Sequence, residues 1–138
     1  MSRRVAVLVV LSALALLVPA VALAAVKRGT YIEVKSQTYI VTNKAATSIK
    51  TFQFPCMVDG EMRGANIISK GLKISAKGAF SYKGKSTLRA DRLRVISVNI
   101  TGKYVDGKLK GTIKYVTAGT GCDDRSYSAK YYGVNPQG

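Results

Sequence analysis

The chain reads as a single all-β domain, an antiparallel β-sandwich or flattened barrel of about nine strands, behind an N-terminal export signal. Three observations predict this. Short bursts of alternating β-branched and aromatic residues recur along the chain. Turn-forming pairs separate them at regular intervals. Beyond the first 24 residues no stretch of ten keeps a 3.6-residue apolar rhythm, and the Gly- and Thr-rich, acid-poor composition disfavours helix.

The first segment belongs to targeting rather than to the fold. Arg3 and Arg4 precede an uncharged run from Val5 to Val18; Pro19 breaks it, and Ala22-Leu23-Ala24 follows. A short basic region, an apolar core and small residues at −3 and −1 predict a secretory signal peptide over residues 1–24, cleaved after Ala24. The rival reading is a retained anchor, because Val5 to Val26 is 22 residues and a span needs about 20. Pro19 and the small-residue site favour removal, which makes residues 25–138 a secreted β domain, extracellular or associated with the cell envelope.

The strands follow in order. "TYIEVKS" and "TYIVTN" open the domain, and "SIKTFQF", "ANIIS" and "LKISA" come next. "AFSYK", "RVISVNITGKYV", "KLKGTIKYVT" and "SYSAKYY" complete it. Turns are expected at Asn43-Lys44, Asp59-Gly60, Lys77-Gly78, Lys83-Gly84, Asp106-Gly107 and Gly119-Thr120-Gly121. Asp106-Gly107 is the firmest of these. It lies between two alternating segments and suits a two-residue hairpin turn in which both residues take positive φ. Gly followed two residues later by an aromatic or aliphatic residue recurs in "GTYIE", "GAFSY", "GKYVD" and "GTIKY", where the glycines are expected at bulges or bends of a curved sheet.

Cys56 and Cys122 are the two cysteines of the chain, and there is no histidine. An even count in an exported domain predicts a Cys56–Cys122 disulfide. A free thiol or half a metal site is the alternative, and no zinc-type Cys/His spacing supports it. Four of the seven acids, Asp59, Glu61, Asp123 and Asp124, fall within five residues of a cysteine. If the cysteines pair, these acids gather in one place as a weak calcium candidate, with pairing to Arg63 and Arg125 as the bland alternative.

Phe52 to Cys56 as F-x-F-P-C, Ile74 to Tyr82 as I-S-x-x-G-x-F-S-Y, Ile100 to Tyr104, Gly111 to Ile113, Cys122, and Tyr127 to Tyr131 form a spaced set. In this arrangement the chain resembles small secreted bacterial proteins, of the kind found in actinobacteria, that carry one cysteine pair and have no known function. The resemblance implies a fold type and a location, and it implies no activity.

Catalysis finds no support in the residues. There is no Gly-rich phosphate loop before a helix, no nucleophile elbow and no cofactor motif. Pairs such as Ser69-Lys70 and Lys85-Ser86 are expected by chance among fourteen lysines. No enzyme, cofactor or metal site is therefore expected.

Charge is the strongest anomaly. Arg3 and Arg4 leave with the signal peptide, so 20 basic residues face 7 acids, a net +13 on 114 residues. Such a field attracts polyanions. Lysine outnumbers arginine, the better bidentate phosphate reader, which favours diffuse contact over specific nucleic-acid recognition. In "KLKGTIKYVT" the alternation places Leu109, Ile113 and Tyr115 inward and sets Lys108, Lys110 and Lys114 on one outer face. These three lysines are the candidate site for an anionic envelope polymer or polysaccharide. The competing account is that they solubilise the strand and guard an edge. A structural or interaction protein of the envelope without a specific ligand is the alternative function, and an enzyme is a distant third. In the last strand, Tyr127 and Tyr131 share the inward parity and Tyr132 is the exposed ring; the absence of Trp weakens a sugar-stacking role.

Overall fold

The structure is a computed structural model that describes residues 25–88 and 95–134. The expected signal peptide lies outside the described residues. The described chain forms nine strands and no helix: β1 (Thr30–Glu33), β2 (Thr38–Thr42), β3 (Ser48–Val58), β4 (Glu61–Ile68), β5 (Leu72–Lys73), β6 (Ala79–Leu88), β7 (Val95–Val105), β8 (Lys108–Tyr115) and β9 (Arg125–Gly133).

All pairings are antiparallel, and the order β2-β1-β9-β8-β7-β6-β4-β3 closes on itself through β2–β3. The result is an eight-stranded barrel with one additional strand, β5. The sandwich expected as one of two alternatives gives way to the barrel. The reason is that β9, the last strand, pairs with β1, the first, through Tyr31↔Tyr131 and Ile32↔Lys130, which removes both free edges. β5 lies against β3 on the same edge as β4, with Ile49↔Leu72 following Phe52↔Ile68. It therefore continues β4 after an interruption at residues 69–71.

Alternation along each strand fills the interior. Tyr31, Ile40, Ile49, Phe52, Phe54, Val98, Leu109, Ile113 and Ala129 are all 0% exposed. An eight-stranded barrel has an interior just wide enough for side chains, and here aromatic rings occupy much of it. Phe52 sits at the centre, with ring centroids 5.7 Å from Phe54, 6.2 Å from Phe80 and 5.3 Å from Tyr127, in tilted or edge-on contacts.

Two glycines allow close approach here, Gly102 of these rings and Gly111 of the neighbouring backbone. Phe80, Gly102, Gly111 and Tyr127 lie in one row across β6, β7, β8 and β9. A Cβ on Gly102 would run into the Phe80 ring and the Tyr127 hydroxyl, and one on Gly111 into the Thr101 carbonyl. The Gly–aromatic echo of the sequence is thus partly a packing device. Gly102 leaves space for its neighbours' rings and Gly111 for the backbone of the adjacent strand, rather than marking a bend.

Two strands run further than expected. β6 continues through Lys83-Gly84, which the sequence suggested as a turn. Gly84 pairs with Val98, and the Tyr82 ring folds over the space its missing side chain leaves. The Tyr82 hydroxyl then donates to the Lys85 carbonyl at 2.6 Å. β3 continues through Pro55, which is accommodated because the β3–β4 register shifts between Pro55 and Met57. The turns at Asp59-Gly60 and Asp106-Gly107 form as expected, with φ of 50° and 81° in the first and 52° and 77° in the second. The Asn43 turn is held by the Asn43 Oδ1 atom, which accepts from the Thr47 and Ser48 amides at 2.9 and 3.2 Å.

Candidate functional site

The inward and outward sets predicted for β8 appear as such. Leu109 and Ile113 are fully buried, Tyr115 packs on the core, and Lys110 and Lys114 are exposed with Lys108 half-buried. Tyr115 reaches across the interior, donating its hydroxyl to the Pro55 carbonyl at 2.9 Å. The three lysines therefore share the outer barrel surface, on a strand paired along both sides.

Strand pairing brings further lysines to them. Lys110 stands directly opposite Lys103 on β7, and Lys108 directly opposite Lys130 on β9. Lys114 stands opposite Asn99, whose other neighbour is Lys83 on β6; Lys85 follows two positions along that strand. A stripe of hydroxyls runs between these rows. Thr112 lies between Thr101 and Ser126, and the Thr101 and Thr112 hydroxyls are 2.9 Å apart. The outward positions of β6 to β9 thus carry mainly lysine, small hydroxyl and amide residues, with exposed Val95, Val105 and Tyr132 toward the strand ends and no Asp or Glu among those described. The one ion pair among the described residues, Arg63 with Glu61 at 3.3 Å, lies at the β3–β4 turn.

Three of these seven lysines were legible in the sequence. The sequence singled out Lys108, Lys110 and Lys114 because they share one strand. Lys103 and Lys130 carry the same parity signal in "TGKYV" and "SAKYY", but their place beside β8 depends on register, which parity within one strand does not supply.

The cysteines pair as expected. Cys56 at the end of β3 is bonded to Cys122 in the β8–β9 connection, with Cα atoms 5.0 Å apart. In the ring of strands β3 lies across the mouth from β8 and β9, so the bridge crosses one end of the barrel. The Asp123 amide donates to the Met57 carbonyl at 2.8 Å and the Asp59 amide to Asp123 Oδ2 at 3.0 Å, tying the same two segments.

Three of the four acids near the bridge are engaged locally. Asp123 accepts from Asp59, Asp124 Oδ1 accepts from the Tyr115 amide at 2.8 Å, and Glu61 faces Arg63. No group of three potential metal ligands forms among the described residues. Arg125, expected as a partner of these acids, is turned into the barrel instead, on the parity of Tyr127 and Ala129. Tyr127 is buried, Tyr131 packs on the core edge and Tyr132 is 79% exposed, as the alternation predicted.

No family model, no curated protein and no solved structure matches this chain.

Proposed function

We propose that this chain is an exported, non-catalytic binding module that holds anionic cell-envelope polymers or acidic polysaccharide against the β6–β9 face of its barrel. One observation carries the reading: on a face whose described strand positions hold no carboxylate, two lysine pairs stand directly across from each other, Lys103 with Lys110 and Lys108 with Lys130. Like charges opposite each other in adjacent strands destabilise a sheet. A surface shaped only for solubility intersperses both signs. Edge protection is not needed on β8, which is paired along both sides. A polyanion laid along the face relieves the repulsion of all these lysines together, and the flanking hydroxyls offer hydrogen bonds to sugar or phosphate oxygens.

Export is supported by the basic–apolar–small pattern of residues 1–24, and the Cys56–Cys122 disulfide is compatible with an extracellular location.

The test uses the mature domain and a polyanion such as teichoic acid or polyglucuronate over a salt series. Affinity is expected to fall steeply with salt, the signature of counterion release. Reversal of Lys108, Lys110 and Lys114 to Glu is expected to weaken binding at least 100-fold, taking about 1 kcal/mol per lysine at an anionic surface as the lower bound. Reversal of Lys35, Lys44 and Lys50, which lie in the β1–β2 and β2–β3 turns and on β3, outside this face, changes net charge equally and is expected to cost far less. Equal losses from the two triples would refute a localised face.

A further inference from the structure

The end of the barrel away from the Cys56–Cys122 bridge holds a hollow of about 320 Å³. Three segments wall it: Ala25 and Val26 ahead of β1, residues 45–47 of the β2–β3 turn, and Ile74, Ser75, Ala76 and Gly78 between β5 and β6. Five of these nine residues are Ala or Gly, so the space comes from small side chains gathered at one mouth. Deeper in, aromatic rings pack the interior around Phe52.

The walls are tied down. The Ile74 amide donates to the Thr47 carbonyl at 2.8 Å, and the Gly78 amide to the Ser75 carbonyl at 2.9 Å. The Gly78 carbonyl in turn accepts from the Tyr104 amide at 2.9 Å. On the other side, the Tyr31 and Tyr131 hydroxyls donate to the Lys27 and Arg28 carbonyls at 2.7 and 3.0 Å, and Val26 packs on the core. Both hydroxyls of the lining are engaged: Ser75 Oγ accepts from the Ala79 amide, and Thr47 Oγ1 from the Asn43 side-chain amide. The hollow is therefore preformed, and its size lies at the lower end of ligand pockets, which start at about 300 Å³.

Size and charge define its occupant. A closed apolar cavity of about 150 Å³ takes a benzene ring, so this open one has room for a chain of roughly eight carbons. Segments 25–29, 43–48 and 69–79, which build this end, contain Lys27, Arg28, Lys44, Lys70, Lys73 and Lys77, all exposed, and no Asp or Glu. Among the described residues Asp106, in the β7–β8 turn, is the one acid at this end. Cleavage after Ala24, as the sequence predicts, adds the α-amino group of Ala25 to the lining itself. A concave mouth surrounded by one sign of charge concentrates ligands of the other.

We propose that this mouth binds one anionic amphiphile, a short alkyl or acyl chain with a carboxylate or phosphate head. The chain occupies the hollow between Ala25, Ala45 and Ala76, and the head stays outside in the field of the basic rim. The lysine face lies on the outer wall of β6 to β9 and takes a polymer along its length, so the two proposals stand independently.

Calorimetric titration of the mature domain with octanoate, octyl phosphate, octanol and octylammonium, each below its micelle concentration, tests it. One saturable site per chain is expected for octanoate or octyl phosphate, at least tenfold tighter than for octylammonium, with octanol between. The relative affinities of octanoate and octyl phosphate tell a fatty-acid head from a phospholipid-type head. Ala76→Phe, in the loop after β5, fills the hollow and should weaken octanoate binding at least tenfold. Should that variant fold poorly, Ala45→Phe in the exposed β2–β3 turn is the second arm, with the same expected loss at an unchanged melting temperature. Reversal of Lys108, Lys110 and Lys114 to Glu should leave the site saturable, which separates it from the outer face. Absence of saturable binding by either anionic chain, or wild-type affinity in a folded Phe variant, would overturn the site. Equal affinities for octanoate and octylammonium would overturn the preference for an anionic head.

Discussion

Tyr127 donates its hydroxyl to the Thr101 carbonyl at 2.8 Å from a ring that is 3% exposed, and burial holds its pKa far above the usual phenol range. Burial also raises Tyr31, reinforced by its neighbour Tyr104, and takes Tyr115 up to about 12. In the unfolded chain these groups ionise near pH 10. The folded state therefore keeps its phenol protons to higher pH than the unfolded state does. The stabilisation is complete below about pH 10 and is lost as pH rises through the folded values. We expect the urea midpoint to be flat from pH 7 to 9 and to fall steadily from pH 10 to 12. Tyr127→Phe should cost about 1 kcal/mol at pH 8 through the lost hydrogen bond, and should flatten the alkaline fall. An alkaline limb unchanged by the substitution would assign it to other groups. At this scale the sequence was informative where parity sufficed, as for Tyr127, Leu109 and Ile113. It was silent on Asn66 and Arg125, since polar residues in a strand ordinarily read as solvent-facing and only the closed ring turns these two inward.

At the scale of elements, the hairpin of β7 and β8 shows how turn chemistry sets register. Asp106 and Gly107 take φ of 52° and 77°, and the ladder runs from Val105↔Lys108 to Val98↔Tyr115 without a shift. That register is what puts Lys103 beside Lys110. Nothing lies within 4 Å of the place a Gly107 Cβ would occupy, so a substitution there meets conformational strain and no clash. Gly107→Val is therefore expected to destabilise the domain by roughly 1–3 kcal/mol, read as a lower denaturant midpoint with an unchanged slope. An unchanged midpoint would mean the turn relaxes freely. The same chemistry was readable at Asp59-Gly60, where both residues take positive φ, and in part at Lys77-Gly78, where Gly78 alone does. It misled at Lys83-Gly84, where glycine serves the Tyr82 ring, and a packing need leaves no local signature distinct from a turn.

For the whole molecule, closure and the disulfide act on the same end. The bridge spans 66 residues, and a loop of that length corresponds to about 4 kcal/mol in the chain-entropy account as an upper estimate. Replacing both cysteines with Ala is expected to lower stability by roughly 2–4 kcal/mol while leaving the strand signal in far-ultraviolet circular dichroism intact, because no strand pairing depends on the bridge. Loss of that signal at room temperature would show the bridge to be required for closure itself. The all-β class and the number of strands were legible from alternation and turns. The choice between sandwich and barrel was not, because it rests on whether β1 finds β9, a contact between the two ends of the fold that no local pattern encodes.

The pairing of β9 with β1 also makes the fold cyclic in all but covalent connection. Thr30 and Gly133 are register partners, so a short linker from β9 back to β1 would form one more hairpin in a ring of hairpins. The chain could then be opened at Asp106-Gly107 to give a circular permutant with the same eight-stranded wall. In the natural order of synthesis the situation is reversed: β1 is made first and its second neighbour last. Until Arg125–Gly133 is available the wall keeps a gap one strand wide between β1 and β8. Completion of the barrel is thus deferred to the final strand, and the nascent chain carries two open edges until then.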